Sequence, residues 1–333
     1  MTRRAFQLLA GLLFSILVAE MLLRCLPVST GYTYQPLNDS NPVLRGQPFV
    51  AYTYSRAWNF RLTTSGTLNN DGFIASRNYG LDDKERILLL GDSFVQAAAV
   101  QPDRNLHARL SDRLAGADVY GLGRAGGALP DYLAMAKWGI EKYRPRVLVF
   151  QLVRGDVGES LAVKAGGYHF QAVPQGYAMG RTDRLAHSRL GALAGRSMLF
   201  HYLYDNLAVT VNFPRRLLGK RRGPKSRLQF AERANISAFF LESLADMFPP
   251  ERVVLLLSGV RTGETLVEDA DLQRLGALAA SRGFKVIDLA DSFNAFEKRT
   301  GHRVDFSPFD THWNETAHAL VAAELSPLLE GML

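Results

Sequence analysis

Cysteine is nearly missing from this chain: one residue, Cys25, in 333. That excludes an internal disulfide framework, so the fold must be held by burial and hydrogen bonding. Five of the seven histidines, His107, His169, His187, His201 and His302, have no acidic or thiol partner at a recognisable metal spacing, so no metal site is expected. Acidic residues are missing from one stretch, "PRRLLGKRRGPKSR" (214–227), which carries seven basic residues. The formal charge is +7, from 39 Lys and Arg against 32 Asp and Glu, so the rest of the chain is neutral. The basicity is local and gives no general nucleic-acid signature; no nucleic-acid partner is expected. No internal repeat is present, which excludes a repeat array. Hydrophobic residues are not scarce: at 47% they exclude general disorder and allow a sizeable core.

Long apolar runs occur once. Arg3 and Arg4 precede "AFQLLAGLLFSILVAEMLL", from Ala5 to Leu23. A helix of that length rises about 28 Å, close to the hydrocarbon thickness of a bilayer. Gln7 and Glu20 interrupt it only near its ends, where polar side chains can snorkel. The stretch after it has no A-x-A pattern, and bulky Arg24 precedes Cys25. Both absences argue against a cleaved signal, so an uncleaved anchor is expected over 1–27, with residues 5–23 in the lipid bilayer. The two arginines favour a cytoplasmic amino end, which exports everything after about residue 28.

Residues 28–85 show no helical period and read as an extended linker packing on the domain, with "LNNDGF" (68–73) as a tight turn. From residue 86 a rhythm begins. "RILLL" (86–90), "ADVYGLG" (117–123), "RVLVFQLV" (146–153), "RVVLLLSG" (252–259) and "FKVIDL" (284–289) read as strands. Helical patterns lie between them, including "DYLAMAKWGIEKY" (131–143), capped by Asp131, and a last helix from Glu315. Alternating strands and helices imply an α/β fold: a flavodoxin-like three-layer sandwich on a parallel sheet of about five strands, ordered 2-1-3-4-5. Residues 160–235 break the rhythm and are expected to hold an insertion in a domain spanning 86–333. The basic run inside it reads as a solvated loop, or beside a membrane as a contact for anionic lipid or glycan.

Ligands of open parallel sheets gather beyond the carboxyl ends of the strands. Gly91, Asp92 and Ser93 follow the first strand, and Gly121, Gly123, Gly126 and Gly127 follow the second. Arg154, Gly155 and Asp156 follow the third, while Asp310 and His312 precede the final helix. A serine hydroxyl needs a base, and the base needs a group to fix its tautomer. The D-x-H spacing lets one loop supply both. Taken singly, Ser93 is equally an ordinary turn serine and His312 equally a capping histidine.

"GDSF" at 91–94 resembles the first block of the SGNH, or GDSL-type, hydrolases. "GLGRAGG" at 121–127 is similar to the second block, and "DTHWN" at 310–314 to the last. The resemblance runs over 86–330 and is to membrane-anchored bacterial members. It implies a serine esterase with Ser93 as nucleophile, His312 as general base and Asp310 as its partner. Backbone N–H groups of Ser93 and Gly126 would form the oxyanion site, Asp92 would support the turn, and no cofactor would be needed. It also implies a single pass through the inner membrane, with the catalytic domain on the periplasmic side. An acylated small molecule or envelope polysaccharide would be the substrate. The alternatives are an O-acyltransferase with the same triad and a catalytically impaired glycan-binding or assembly protein. One departure matters: the third block of the family carries an Asn donor where this chain has Gly155. Arg154, Asn105 or Asn314 would have to replace it, and Gly155→Asn is expected to restore the donor.

Overall fold

The computed structural model describes residues 2–183, 195–207, 230–262 and 265–333. The basic run 214–227, and with it the expected anionic-surface contact, lies outside the described residues. The described residues fall into two compact units. One holds 2–32, 51–66 and 195–207; the other holds the rest.

The larger unit is built on five strands: β1 (Glu85–Gly91), β2 (Ala117–Gly123), β3 (Val147–Leu152), β4 (Val253–Leu257) and β5 (Lys285–Asp288). They form one sheet in the order β2-β1-β3-β4-β5, and every neighbouring pair is parallel. That is the expected 2-1-3-4-5 order. The unbroken apolar runs are explained by burial on both faces. Leu88, Leu90, Leu148 and Phe150 enter one core, and Ile87, Leu89, Val147 and Val149 enter the other. Successive strand side chains point to opposite faces, so one run serves two cores. Helices Leu129–Tyr143, Phe230–Met247 and Ala270–Ser281 cover the first face. Leu106–Arg113, Ala290–Thr300 and Glu315–Glu330 cover the second.

Several local expectations change. Asp131 is not the N-cap residue, since the helix starts at Leu129 after Ala128; it closes the helix start from the third helical position. There its carboxylate accepts from Ala128 N at 3.2 Å and Tyr168 N at 2.9 Å, and pairs with buried Arg124. Pro130 tolerates the first turn because no N–H is needed there. The start of the expected insertion is an antiparallel pair, Gly167–Val173 with Gly176–Thr182. Its Phe170 packs edge-on against Phe239 at 5.0 Å, inside the main core. The 28–85 stretch is divided between the two units and contains a pair of short strands, Ala51–Arg56 and Leu62–Thr67. The turn at 68–73 forms: Asn69 Oδ1 accepts from Asp71 N at 3.0 Å and Phe73 N at 2.9 Å.

The smaller unit begins with helix Arg3–Leu23, which is long and apolar enough to cross a membrane, with a mean hydropathy of 2.1 over its best window. Glu20, the acidic interruption in the apolar run, has partners. It pairs with Arg24 at 2.8 Å and accepts from Ser197 Oγ at 2.8 Å and from the N–H groups of Met198 and Leu199 at 3.0 Å. A carboxylate so satisfied can sit at the end of an apolar helix without an unpaired charge.

Candidate active site

β1 ends at Gly91, and the chain turns at once into a one-turn helix, Ser93–Gln96. Asp92 caps that turn by accepting from Phe94 N at 3.0 Å. Its other oxygen lies 3.4 Å from Ser93 Oγ. A short polar residue at an N-cap satisfies a donor that a helix start would leave unpaired. The outcome is a serine held at the carboxyl edge of the sheet.

His312 arrives from the other end of the sequence. The strand-like pairing of Asp305 with Trp313 and the bonds Asn314 N to Val304 O (3.0 Å) and Phe306 N to His312 O (3.2 Å) close the 304–314 loop. Asn314 caps the last helix through Thr316 N and Ala317 N, and its Nδ2 donates to Arg303 O and Asp305 O. A group absent from the sequence reading braces this loop from below. Half-buried Arg261 meets Glu297 at 2.6 Å and Asp305 at 2.5 Å; Glu297 also accepts from Val304 N at 2.9 Å. Arg261 lies 44 residues from Asp305, and no local pattern marks the pairing.

On this loop His312 Nε2 lies 2.8 Å from Ser93 Oγ. The opposite ring nitrogen, Nδ1, is hydrogen-bonded to Asp310 Oδ1, which also accepts from His312 N at 2.9 Å. The Phe94 ring packs beside the imidazole, with centroids 5.0 Å apart. Ser93 and a pair of residues more than 200 positions away thus form one hydrogen-bonded chain. Its order allows proton transfer: a hydroxyl, an imidazole, and a carboxylate that fixes which nitrogen carries the proton.

Several solved structures show a weak likeness to this chain over most of its length. A GDSL-like lipase from Parabacteroides merdae is 13% identical, with a TM-score of 0.41, over 76% of this chain and 99% of its own. A lipase/acylhydrolase from Enterococcus faecalis is 15% identical, with a TM-score of 0.40, over 74% and 96%. The acetyl xylan esterase Est2A from Butyrivibrio proteoclasticus is 11% identical, with a TM-score of 0.36, over 81% and 68%. No protein-family model and no curated protein matches the chain. Likeness at this level carries no chemistry, which rests on the residues themselves.

Gly126, the expected second backbone donor, stands in the turn after β2 with open space beside its Cα, and its carbonyl accepts from Lys164 Nζ at 2.9 Å. Of the three substitute side-chain donors, only Asn314 has its amide committed elsewhere, to Arg303 O and Asp305 O. Arg154 is 69% exposed, with its Nε 3.9 Å from Asp269, and it lines the cavity beside the serine turn. Asn105 caps the Leu106–Arg113 helix through Oδ1 only, and its buried Nδ2 has no hydrogen-bond partner among the described residues. Arg154 therefore does not pair with Asp156, as a simple loop pairing would have it. Asp156 is instead buried, accepting from Val153 N at 2.8 Å and Tyr132 Oη at 3.2 Å. Burial raises the pKa of Asp92, and burial together with the charge of Asp92 raises that of Asp156 further. Two such carboxyls resist being ionised together.

Gly155 caps the short Asp156–Glu159 helix at φ +105°. That conformation is available to glycine and strained for any residue with a Cβ. The expected rescue by Gly155→Asn is therefore corrected. The variant should lose about 1–3 kcal/mol of stability and show no gain in ester hydrolysis. Thermal melts and turnover of a small acetyl ester check both; a faster enzyme with an unchanged melt would contradict the strain.

A cavity of ≈ 320 Å³ opens beside the serine turn, lined by Phe94, Val153, Arg154, Leu266, Val304 and Trp313 among others. Such a volume lies at the low end for small-ligand sites. His318, one helical turn and more beyond His312, stays structural. Burial holds both it and His107 at a pKa of about 3, so both are neutral imidazoles inside the second core.

Proposed function

We propose that this chain is a serine esterase of the SGNH type that cleaves an acyl ester through an acyl-enzyme on Ser93. The observation that carries the reading is the approach of His312 Nε2 to Ser93 Oγ at 2.8 Å, with Asp310 on the opposite nitrogen. His312 takes the hydroxyl proton as Ser93 Oγ bonds to the acyl carbon. The negative charge that develops on the carbonyl oxygen is met by the N–H groups of Ser93 and Gly126. His312 then gives its proton to the departing alcohol oxygen, and the ester C–O bond breaks. A water loses its proton to the same nitrogen and attacks the acyl carbon; the bond from that carbon to Ser93 Oγ then breaks, Oγ takes the proton back from His312, and the acid leaves. Asp310 holds the proton on Nδ1 throughout and stabilises the imidazolium.

An exported domain on a membrane anchor suits an O-acyl group of an envelope polysaccharide as substrate. An acyltransferase would share every step but the last, with a sugar hydroxyl in place of water, and product analysis separates the two. Gly155 favours a second reading, a glycan-binding or assembly protein that has lost catalysis, because the oxyanion site has no side-chain donor there. A fluorophosphonate decides between catalysis and its loss. Esterase chemistry requires a phosphonyl adduct on the Ser93 peptide by mass spectrometry. An unlabelled Ser93 in folded protein would favour the binding protein.

A further inference from the structure

Among its described residues the smaller unit exposes a stripe of large apolar side chains. Met198–His201 continues directly into a wider helical turn, Tyr202–Asn206. Phe200, Leu203, Tyr204 and Leu207 are 36–46% exposed, at the i, i+3, i+4, i+7 spacing of one helix face. The opposite face is fixed inward. Buried His201 meets Asp205 at 2.8 Å, and buried Asn206 donates to Ser55 Oγ at 2.8 Å while accepting from Ser29 N at 3.1 Å. The outward face is thus set by the fold and not by loose packing. Phe200 and Tyr204 stack with centroids 5.6 Å apart. Beside them the turn after Ala51–Arg56 presents Trp58, 71% exposed, whose carbonyl accepts from Tyr202 Oη at 2.9 Å.

The position of this face relative to the apolar helix is also set. Ser197, Met198 and Leu199 all donate to the carboxylate of Glu20. Glu20 lies three residues before the end of helix Arg3–Leu23, about 4.5 Å along its axis. The stripe therefore starts level with the last turn of the apolar run. If that run fills the hydrocarbon, the stripe begins at its boundary. Arg24 and Arg196, both exposed, stand at the same level. Aromatic rings beside cations at the end of a membrane helix match the chemistry of the lipid–water interface. A helical stretch this short gains little from its own hydrogen bonds, so its order depends on what it lies against.

We propose that the face formed by Phe200, Leu203, Tyr204 and Trp58 lies in the headgroup–acyl boundary of the bilayer as a second membrane contact. It holds the exported part of the chain against the surface next to the anchor. The inference rests on Arg3–Leu23 crossing the membrane, and it is independent of the chemistry at Ser93.

The test uses the full chain in phosphatidylethanolamine–phosphatidylglycerol vesicles. Cys25→Ala removes the native thiol, and a nitroxide is attached at Leu203→Cys, at Trp58→Cys, or at Lys298→Cys on an exposed helix of the larger unit. Labels at 203 and 58 should collide with oxygen and lose access to a water-soluble nickel chelate, whereas the label at 298 should show the reverse. Vesicle flotation is read on the same samples. Chain that floats while labels 203 and 58 behave like 298 overturns the second contact and leaves the anchor standing. Chain that fails to float overturns both. Dipolar broadening between labels at 203, without protection by lipid, would show a second copy on this face and would also overturn the proposal.

Discussion

Ser93→Ala is expected to lower ester turnover by on the order of 10⁴-fold or more, with the melt unchanged. The serine is half-buried at the start of a one-turn helix, and the turn is capped by Asp92 and not by the hydroxyl. Removing Oγ therefore deletes the nucleophile and leaves the backbone bonds of the turn in place. The remaining rate would come from binding and from the backbone donors alone. Asp310→Asn should approach the same loss by another route. An amide at that position can donate to Nδ1, which moves the ring proton to Nε2 and leaves Ser93 without a base. Both are read with a small acetyl ester on the detergent-solubilised full chain. A Ser93→Ala protein retaining more than a tenth of the rate would remove Ser93 from the mechanism.

Gly123→Ala is the second large effect, at a residue that takes no part in the chemistry. Gly123 ends β2, and the nucleophile helix lies directly on it. An added Cβ would fall 2.0 Å from Gln96 N and 2.6 Å from the Val95 carbonyl carbon. Those are backbone atoms of the helix that begins at Ser93, so the clash cannot be relieved by a side-chain rotation. The helix must move. Overpacking of this kind costs about 1–3 kcal/mol. A displacement near 1 Å at the serine would cost about 100-fold in rate. The expected result is a folded protein with a lowered melt and much slower fluorophosphonate labelling. A normal labelling rate would mean that the serine turn does not depend on the close contact with β2.

The strand order was legible before any coordinates. Five short apolar runs alternating with helical patterns admit few arrangements, because each run has to bury both faces between helices. Ser93, Asp310 and His312 were legible too, since strand-end turns of a parallel sheet converge on one edge and D-x-H places two of the three on one loop. Local geometry was less so. Asp131 reads as the N-cap residue; it closes the helix start from the third position instead, and its tertiary partners Arg124 and Tyr168 leave no mark in the local pattern. The Gly167–Thr182 strand pair lies in a stretch whose alternation is weak, and its place is fixed by Phe170 entering a core made of distant residues. Gly155 reads as an Asn lost from a site, and only its backbone angle shows that no side chain fits there without strain. Gly123 reads as one more turn glycine, and only the packed helix shows what its missing side chain makes room for. By itself the sequence determined the layering, the strand order and which polar residues stand at the strand ends, because hydrophobic period and turn chemistry act over a few residues. Tertiary structure alone decided the distances among those groups, the Arg261 brace beneath their loop and the partners of Glu20, because each depends on contacts between residues far apart in the chain.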